Sequence, residues 1–357
     1  MGEFRFQGRF LRRRWQLWLV PLLLVVLLAV PLVQKSVSIQ KTNHAALVRE
    51  LSFSVTATTI KDLKQTIKAD PGASITQNAT DSLKAARQLQ KAAAQNDTWA
   101  YTLALAKYRK LGGSADPVLD ALVKRHIPMV SFYAPHKPAL NALPRPKTLW
   151  LLVVLAFGIA DALSALTPRQ EDLIALVPRA KIGIFWRRLA WSFLWTFGSF
   201  LAANAIVFAY LAARGGVGHL NYPVASRITG TYPLWQALAA YLAMVAAWTA
   251  LLCAVAGLVR CLTAKFTSVL AVLLAVLLLS QTTVFQSANF SHLALYWLPN
   301  YVDISIPIDL TLSVPPLEAA EWGSVLLPLP QALVLMLGAA AALGGVATLL
   351  VSRRRWR

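Results

Sequence analysis

Six blocks of the chain are apolar over most of their length, at residues 15–33, 148–166, 189–212, 234–258, 266–285 and 331–351. Their hydrophobic residues are clumped rather than spaced every three or four positions, which predicts helices that are apolar on all sides. A helix crossing a hydrocarbon core about 30 Å thick needs roughly 20 such residues. The pattern therefore predicts an all-α polytopic membrane protein with six spans. The first block is too long for a secretion-signal core of about 7–15 residues, and no small-x-small cleavage pattern follows it, so it reads as an uncleaved anchor.

The polar intervals differ in kind. Residues 34–147 predict a mostly helical extracytoplasmic domain between spans 1 and 2. Residues 81–94 are strong helix formers, and 98–111 form a second helix with Trp99, Leu103 and Leu111 near one face. Gly112 and Gly113 end that helix, and Asp116-Pro117 opens another over 118–126. The β-branched run 52–59 predicts a short strand, and Pro135, Pro138, Pro144 and Pro146 predict a stiff extended lead into the second span. Residues 167–188 hold a short amphipathic piece followed by basic residues. Residues 286–330 carry no Lys or Arg and many apolar side chains, so this stretch is expected to rest in the interface or on other outer parts.

Charge fixes the expected orientation. With the N-terminus inside, segments 1–14, 167–188, 259–265 and 352–357 carry sixteen Lys and Arg, whereas the two shorter outer loops carry two, Arg214 and Arg227. Cytoplasmic loops of membrane proteins are the basic ones, so both termini are expected in the cytoplasm of a cell-membrane protein. The chain has 35 basic and 15 acidic residues and is 57% hydrophobic, a composition that excludes an ordinary soluble enzyme. The basic surplus then points to a lipid bilayer rather than to nucleic acid. Residues 34–147 contribute 17 basic and 7 acidic residues.

Little catalytic chemistry is legible. There is no G-x-x-x-x-G-K-S/T phosphate loop and no H-E-x-x-H. The five histidines are scattered, and Cys253 and Cys261 are the two cysteines. No catalytic, cofactor-binding or metal-binding residue is assigned. Gly198-Ser199, Gly338 and Gly344-Gly345 read as small residues that let helices approach closely. Asp161 is the one acid within a span and, with Asn204 and Gln281, makes up the intramembrane polar candidates. An ionisable residue at that depth is either functional or held in a structural pair.

The order of parts resembles the membrane subunit of the type-2 exporter permease family of ABC transporters, in the branch with a large outer domain after the first span. Such permeases join spans 2 and 3 by a cytoplasmic coupling helix, written as an acid, an apolar stretch, a proline and a basic residue. Glu171, Leu173, Leu176, Pro178 and Arg187 occupy those places here. The glycine usual after the acid is replaced by Asp172-Leu173, and about 14 residues precede the first span where the family has a longer helix. Trp297-Leu298-Pro299-Asn300-Tyr301 is similar to the family's stretch leading into its outer hairpin. The resemblance implies a non-enzymatic transport subunit that binds a separate ABC ATP-binding subunit, which holds ATP and magnesium, and that pairs with a second permease copy or a paralogue. Two other classes stay open on sequence: a non-transporting sensor, immunity or assembly protein, and an ion-coupled carrier using Asp161.

Overall fold

The computed structural model describes residues 15–38, 43–69, 74–113, 116–131, 134, 137–142, 148–164, 181–225, 231–263, 265–279, 296–304, 307–308 and 327–353. In chain order these form helices α1 (Trp15–Ser38), α2 (Asn43–Ser54), α3 (Ala57–Ala69), α4 (Ser74–Gln95), α5 (Thr98–Leu111) and α6 (Pro117–Lys124). A helical turn at Ala139–Ala142 precedes α7 (Thr148–Leu163) and α8 (Lys181–Gly215). Strands β1 (Pro223–Ala225) and β2 (Thr231–Pro233) lead into α9 (Leu234–Leu262) and α10 (Phe266–Leu278). A 3-10 turn at Leu298–Val302 and helix α11 (Leu329–Arg353) complete the described chain. The protein is mostly helical.

Three helices are long and apolar enough to cross a membrane: Ile182–Gly215, Leu234–Leu262 and Leu329–Arg353. Three shorter apolar helices, Trp18–Ala29, Thr148–Leu163 and Phe266–Leu278, accompany them. Large apolar side chains such as Leu22, Trp150, Leu194, Ile206, Val334 and Leu349 are exposed along these helices. Soluble surfaces rarely carry so much contiguous apolar area, and a bilayer is the solvent that removes the cost.

The described chain divides into two compact units. The apolar unit is drawn from Met1–Val30, Pro144–Val207 and Leu238–Arg357. Of the three long helices α9 is the most enclosed, with 67% of its most apolar window buried against 28% for α8 and 22% for α11. Trp248, Leu252, Met244 and Val245 are buried on α9. Helices α7 and α10 pack side by side, with Phe157 and Phe266 meeting edge to face at 5.7 Å.

The polar unit is drawn from Pro31–Leu143 together with Phe208–Ala237. It is therefore larger than the 34–147 insert read from the sequence. Its core gathers Leu47 and Val55 with Leu89, Tyr101, Leu105, Leu119, Leu122 and Ile127. Asp97 caps α5 by accepting from Trp99 N and Ala100 N at 3.1 and 3.0 Å. Asp116 caps α6 by accepting from Val118 N at 2.9 Å and also receives Arg109 Nη1 at 3.0 Å, tying the end of α5 to the start of α6. Such caps fill donors that the first turn leaves open.

Residues 213–225 and 231–233, within a stretch read as a short loop, are structural in this unit. Arg125 Nη1 donates to Asn221 O at 2.7 Å, Tyr222 packs on the core, and β1 pairs antiparallel with β2. The turn at Ala139–Ala142 begins with Ala139 N and Leu140 N donating to Gly216 O and Val217 O at 2.8 and 3.1 Å. Gly218 has φ +88°, and a Cβ there would lie 2.8 Å from Pro138 Cβ, so the crossing admits no side chain.

Three local expectations are corrected. The strand at 52–59 is absent: α2 runs to Ser54, Val55 N continues to Leu51 O at 2.7 Å, and Thr56 Oγ1 accepts from Thr59 N at 3.2 Å at the start of α3. The β-branched residues thus serve as a helix-to-helix joint. On α5 the buried residues are Tyr101, Thr102, Ala104 and Leu105, while Leu103 is 41% exposed. The Asp97 cap and the packing on α4 set that phase. The proline-rich lead holds a helical turn at Ala139–Ala142.

Candidate functional site

Of the residues assigned to the coupling element, Glu171, Leu173, Leu176 and Pro178 lie outside the described residues, as does Gln281. Arg187 is exposed in the first turns of α8. The structure describes the helix into which that element leads.

The first turns of α8 are seated on small residues of two other helices. Phe185 and Leu189 stand over Gly257 of α9, where an added Cβ would lie 2.8 Å from Leu189 Cδ2 and 3.2 Å from Phe185 Cζ. Trp186 stands over Gly344 of α11, where an added Cβ would lie 2.9 Å from Trp186 Cη2. Phe185 and Trp186 themselves meet edge to face at 5.9 Å. Beside them Cys261 of α9, Ala347 and Val351 of α11 and Phe185 form one apolar cluster. Cys261 Sγ donates to Ala347 O at 3.8 Å. Leu189 is buried at this contact, whereas Trp186 keeps 45% of its surface exposed; the close approach at Gly257 is the part packed tightly enough to transmit displacement.

A second contact joins α1, α7 and α8. Built on Gly158, a Cβ would lie 3.0 Å from Val20 Cγ1 and 3.4 Å from Thr196 Cγ2. Trp18 of α1 meets Trp195 of α8 edge to face at 5.9 Å, and Trp191 stacks on Trp195 at 6.5 Å. Asp161 lies one turn beyond Gly158 and is 8% exposed, and Ser192 and Thr196 of α8 are fully buried. Asp161 is thus enclosed by protein. Asn204 Nδ2 donates to Phe200 O of its own helix at 2.9 Å, a bond that occupies the amide locally. Of the three intramembrane polar candidates, Asp161 lies at the α1–α7–α8 contact and Asn204 bonds within α8, while Gln281 lies outside the described residues.

The third contact was not legible in the sequence. Trp248 Nε1 donates to Tyr301 O at 2.9 Å, and Tyr301 Oη accepts from Leu327 N at 3.0 Å. Trp248 and Tyr301 are both completely buried. Trp248 lies midway along α9, roughly 21 Å from either end at 1.5 Å per residue. The turn at Leu298–Val302, which also packs on α10 and α11, is therefore docked against the middle of α9. Irregular backbone at such depth is tolerated where protein encloses it.

Small residues gave a partial signal. Gly344 makes the close approach expected of it, whereas a Cβ on Gly338, Gly345 or Gly198 meets nothing within 4 Å. Among the described residues no group of three or more His, Cys, Asp or Glu is placed to hold a metal ion. Tyr222, in the polar unit, has its phenol pushed upward by burial, against the Val130 N–H bond that favours the phenolate; Glu50 and Asp116 add to the rise.

No protein-family model, curated protein or solved structure matches the chain.

Proposed function

We propose that this chain is the membrane-spanning permease subunit of an ATP-driven type-2 exporter. It has six spans with both termini cytoplasmic, and it carries residues 34–147 outside the cell membrane. It works beside a second permease copy or paralogue and takes its energy from a separate ABC ATP-binding subunit, which holds ATP and magnesium. The chain itself catalyses no reaction.

The observation that carries this reading is the seating of α8. A chain without a phosphate loop must borrow free energy, and a partner's ATP-driven closure has to reach the spans through a rigid element. Residues 170–177 lead directly into Phe185, Trp186 and Leu189, which are wedged on Gly257 and Gly344. A push on 170–177 would move α8 together with α9 and α11. The acid–apolar–proline–basic order at Glu171–Arg187 and the basic asymmetry between the two membrane faces support the same reading.

The test is the ATPase activity that accompanies the affinity-purified chain from native membranes. An ATP-binding subunit should co-purify, and Glu171→Lys should strip it away without lowering membrane insertion. Recovery of the intact chain with no nucleotide-binding protein contradicts the proposal and favours a sensor or assembly role. Loss of all transport in Asp161→Asn, with ATP hydrolysis absent in the wild type, favours an ion-coupled carrier.

A further inference from the structure

We infer that one face of the polar unit is a docking surface for a linear, phosphate-bearing polyanion. Helix α3 exposes Lys61, Lys64 and Lys68, and α4 exposes Lys84, Arg87 and Lys91. Both sets repeat at i, i+3 and i+7, the spacing that aligns side chains along one helical stripe. Each stripe is about 10 Å long at 1.5 Å per residue.

The two stripes lie on helices that pack against each other. Helices α3 and α5 both pack on α4, to which they are joined by links of residues 70–73 and 96–97, so neighbours run antiparallel. Helix α4 turns Ala85, Ala86, Leu89, Ala92 and Ala93 into the core, which leaves Lys84, Arg87 and Lys91 on the opposite side. Helix α3 half-buries Ile60, Leu63 and Ile67. With that stripe turned inward, helical periodicity places the lysines one residue on, about 100° round the helix and out of the core.

Charge compensation on this face is thin. The acids on these two helices are Asp62 and Asp81; Lys84 pairs with Asp81 at 3.7 Å, and the Arg109–Asp116 pair belongs to the helix caps. Lys61, Lys64, Lys68, Arg87 and Lys91 enter no ion pair among the described residues. Packed helices lie 8–10 Å apart, about one Debye length at physiological salt. The cations therefore act as one field, whose self-repulsion a polyanion relieves.

The chemistry of the face selects among polyanions. None of the exposed large apolar side chains lies on α3 or α4, so the face has nothing to insert into a bilayer. Neither helix contains an aromatic residue on which a nucleobase would stack, the usual device for single-stranded nucleic acid. A hydrated polyanion without bases fits what remains, and lysine, which supplies five of the six cations, is a standard point-charge partner of phosphate. This surface stands independently of the permease reading.

The experiment holds the full chain in phosphatidylcholine nanodiscs and follows fluorescently labelled long-chain polyphosphate by anisotropy across a salt series. Binding should weaken steeply with salt, and the variant Lys64→Gln, Arg87→Gln, Lys91→Gln should lose at least about tenfold in affinity, from the counterions three contacts release. The control Lys110→Gln, Lys124→Gln, Lys265→Gln removes the same charge elsewhere and should stay within about threefold of wild type. These exposed substitutions conserve helix propensity. Orthophosphate at matched phosphate concentration should not displace the probe. Equal losses in the two variants, absence of binding, displacement by orthophosphate, or capture of phosphatidylglycerol vesicles without polyphosphate binding each overturn the inference.

Discussion

The indole N–H of Trp248 donates to the backbone carbonyl of Tyr301 at 2.9 Å, with both residues fully buried. One bond thus fixes the 298–302 turn to the midpoint of α9, and Tyr301 Oη extends the link to Leu327 N at the approach to α11. An acceptor buried in this way costs about 1–3 kcal/mol when its donor is removed.

Trp248→Phe keeps an aromatic ring but leaves Tyr301 O without that donor. Backbone amides in 298–304 should exchange faster by one to two orders of magnitude, while those of α8 remain protected. Hydrogen exchange on the detergent-solubilised chain reads this directly. Unchanged exchange across 298–304 would show that the turn is held by other contacts.

Gly344→Leu drives a side chain into Trp186. Overpacking of this kind costs about 1–3 kcal/mol, and Trp186→Leu in the same chain should restore most of it. The two substitutions should therefore be non-additive in thermal stability. Gly338→Leu, whose Cβ direction is open, should be nearly silent. Additive losses would separate Trp186 from Gly344.

Gly218→Ala should destabilise the polar unit by about 1–3 kcal/mol, because it combines a left-handed backbone with a contact on Pro138. Limited proteolysis of the full chain should then cut within 31–143 and 208–237 sooner than in the wild type. Resistance equal to wild type would contradict the tight crossing at 138–142 and 216–218.

Tyr222 supplies a prediction in pH. Its folded pKa is raised above the ordinary value of 10.0, first by burial, so the unfolded chain loses this proton before the folded one. Stability from this group is fully present below pH 10 and declines as pH rises from there through the folded pKa. Tyr222→Phe should remove that alkaline decline while lowering stability slightly at neutral pH, where the bond from Val130 N at 3.4 Å is lost. Chemical denaturation at pH 8 and above pH 10, followed by exchange in the polar unit, distinguishes the two.

What the sequence made legible was local. Asp97 and Asp116 are short polar side chains ahead of helix formers, so the starts of α5 and α6 could be read from neighbours alone. Phase was harder: Trp99 and Leu103 look like a core face, yet Tyr101 and Leu105 are buried because α4 occupies that side. The joint at Val55–Thr59 shows the same limit, since β-branched residues that favour a strand in isolation here cap one helix and start the next. Close approach was half legible. Gly344 and Gly345 are indistinguishable in sequence, and Trp186, more than 150 positions away, decides which one matters. The Trp248–Tyr301 pairing spans 53 residues, and no periodicity links its ends. For the proposed coupling element, Arg187 and the seating of α8 are described, while Glu171–Pro178 rests on the sequence pattern.

The central proposal, that power arrives from an ATP-binding partner at residues 170–177, is tested most directly by photo-crosslinking. A photoreactive residue replaces Leu176 in the full chain, and native membranes are irradiated before extraction. The expected result is a covalent adduct with a protein bearing a phosphate loop, enhanced by ATP and lost in Glu171→Lys. Adducts with lipid alone, in membranes where the chain is inserted and intact, would contradict it.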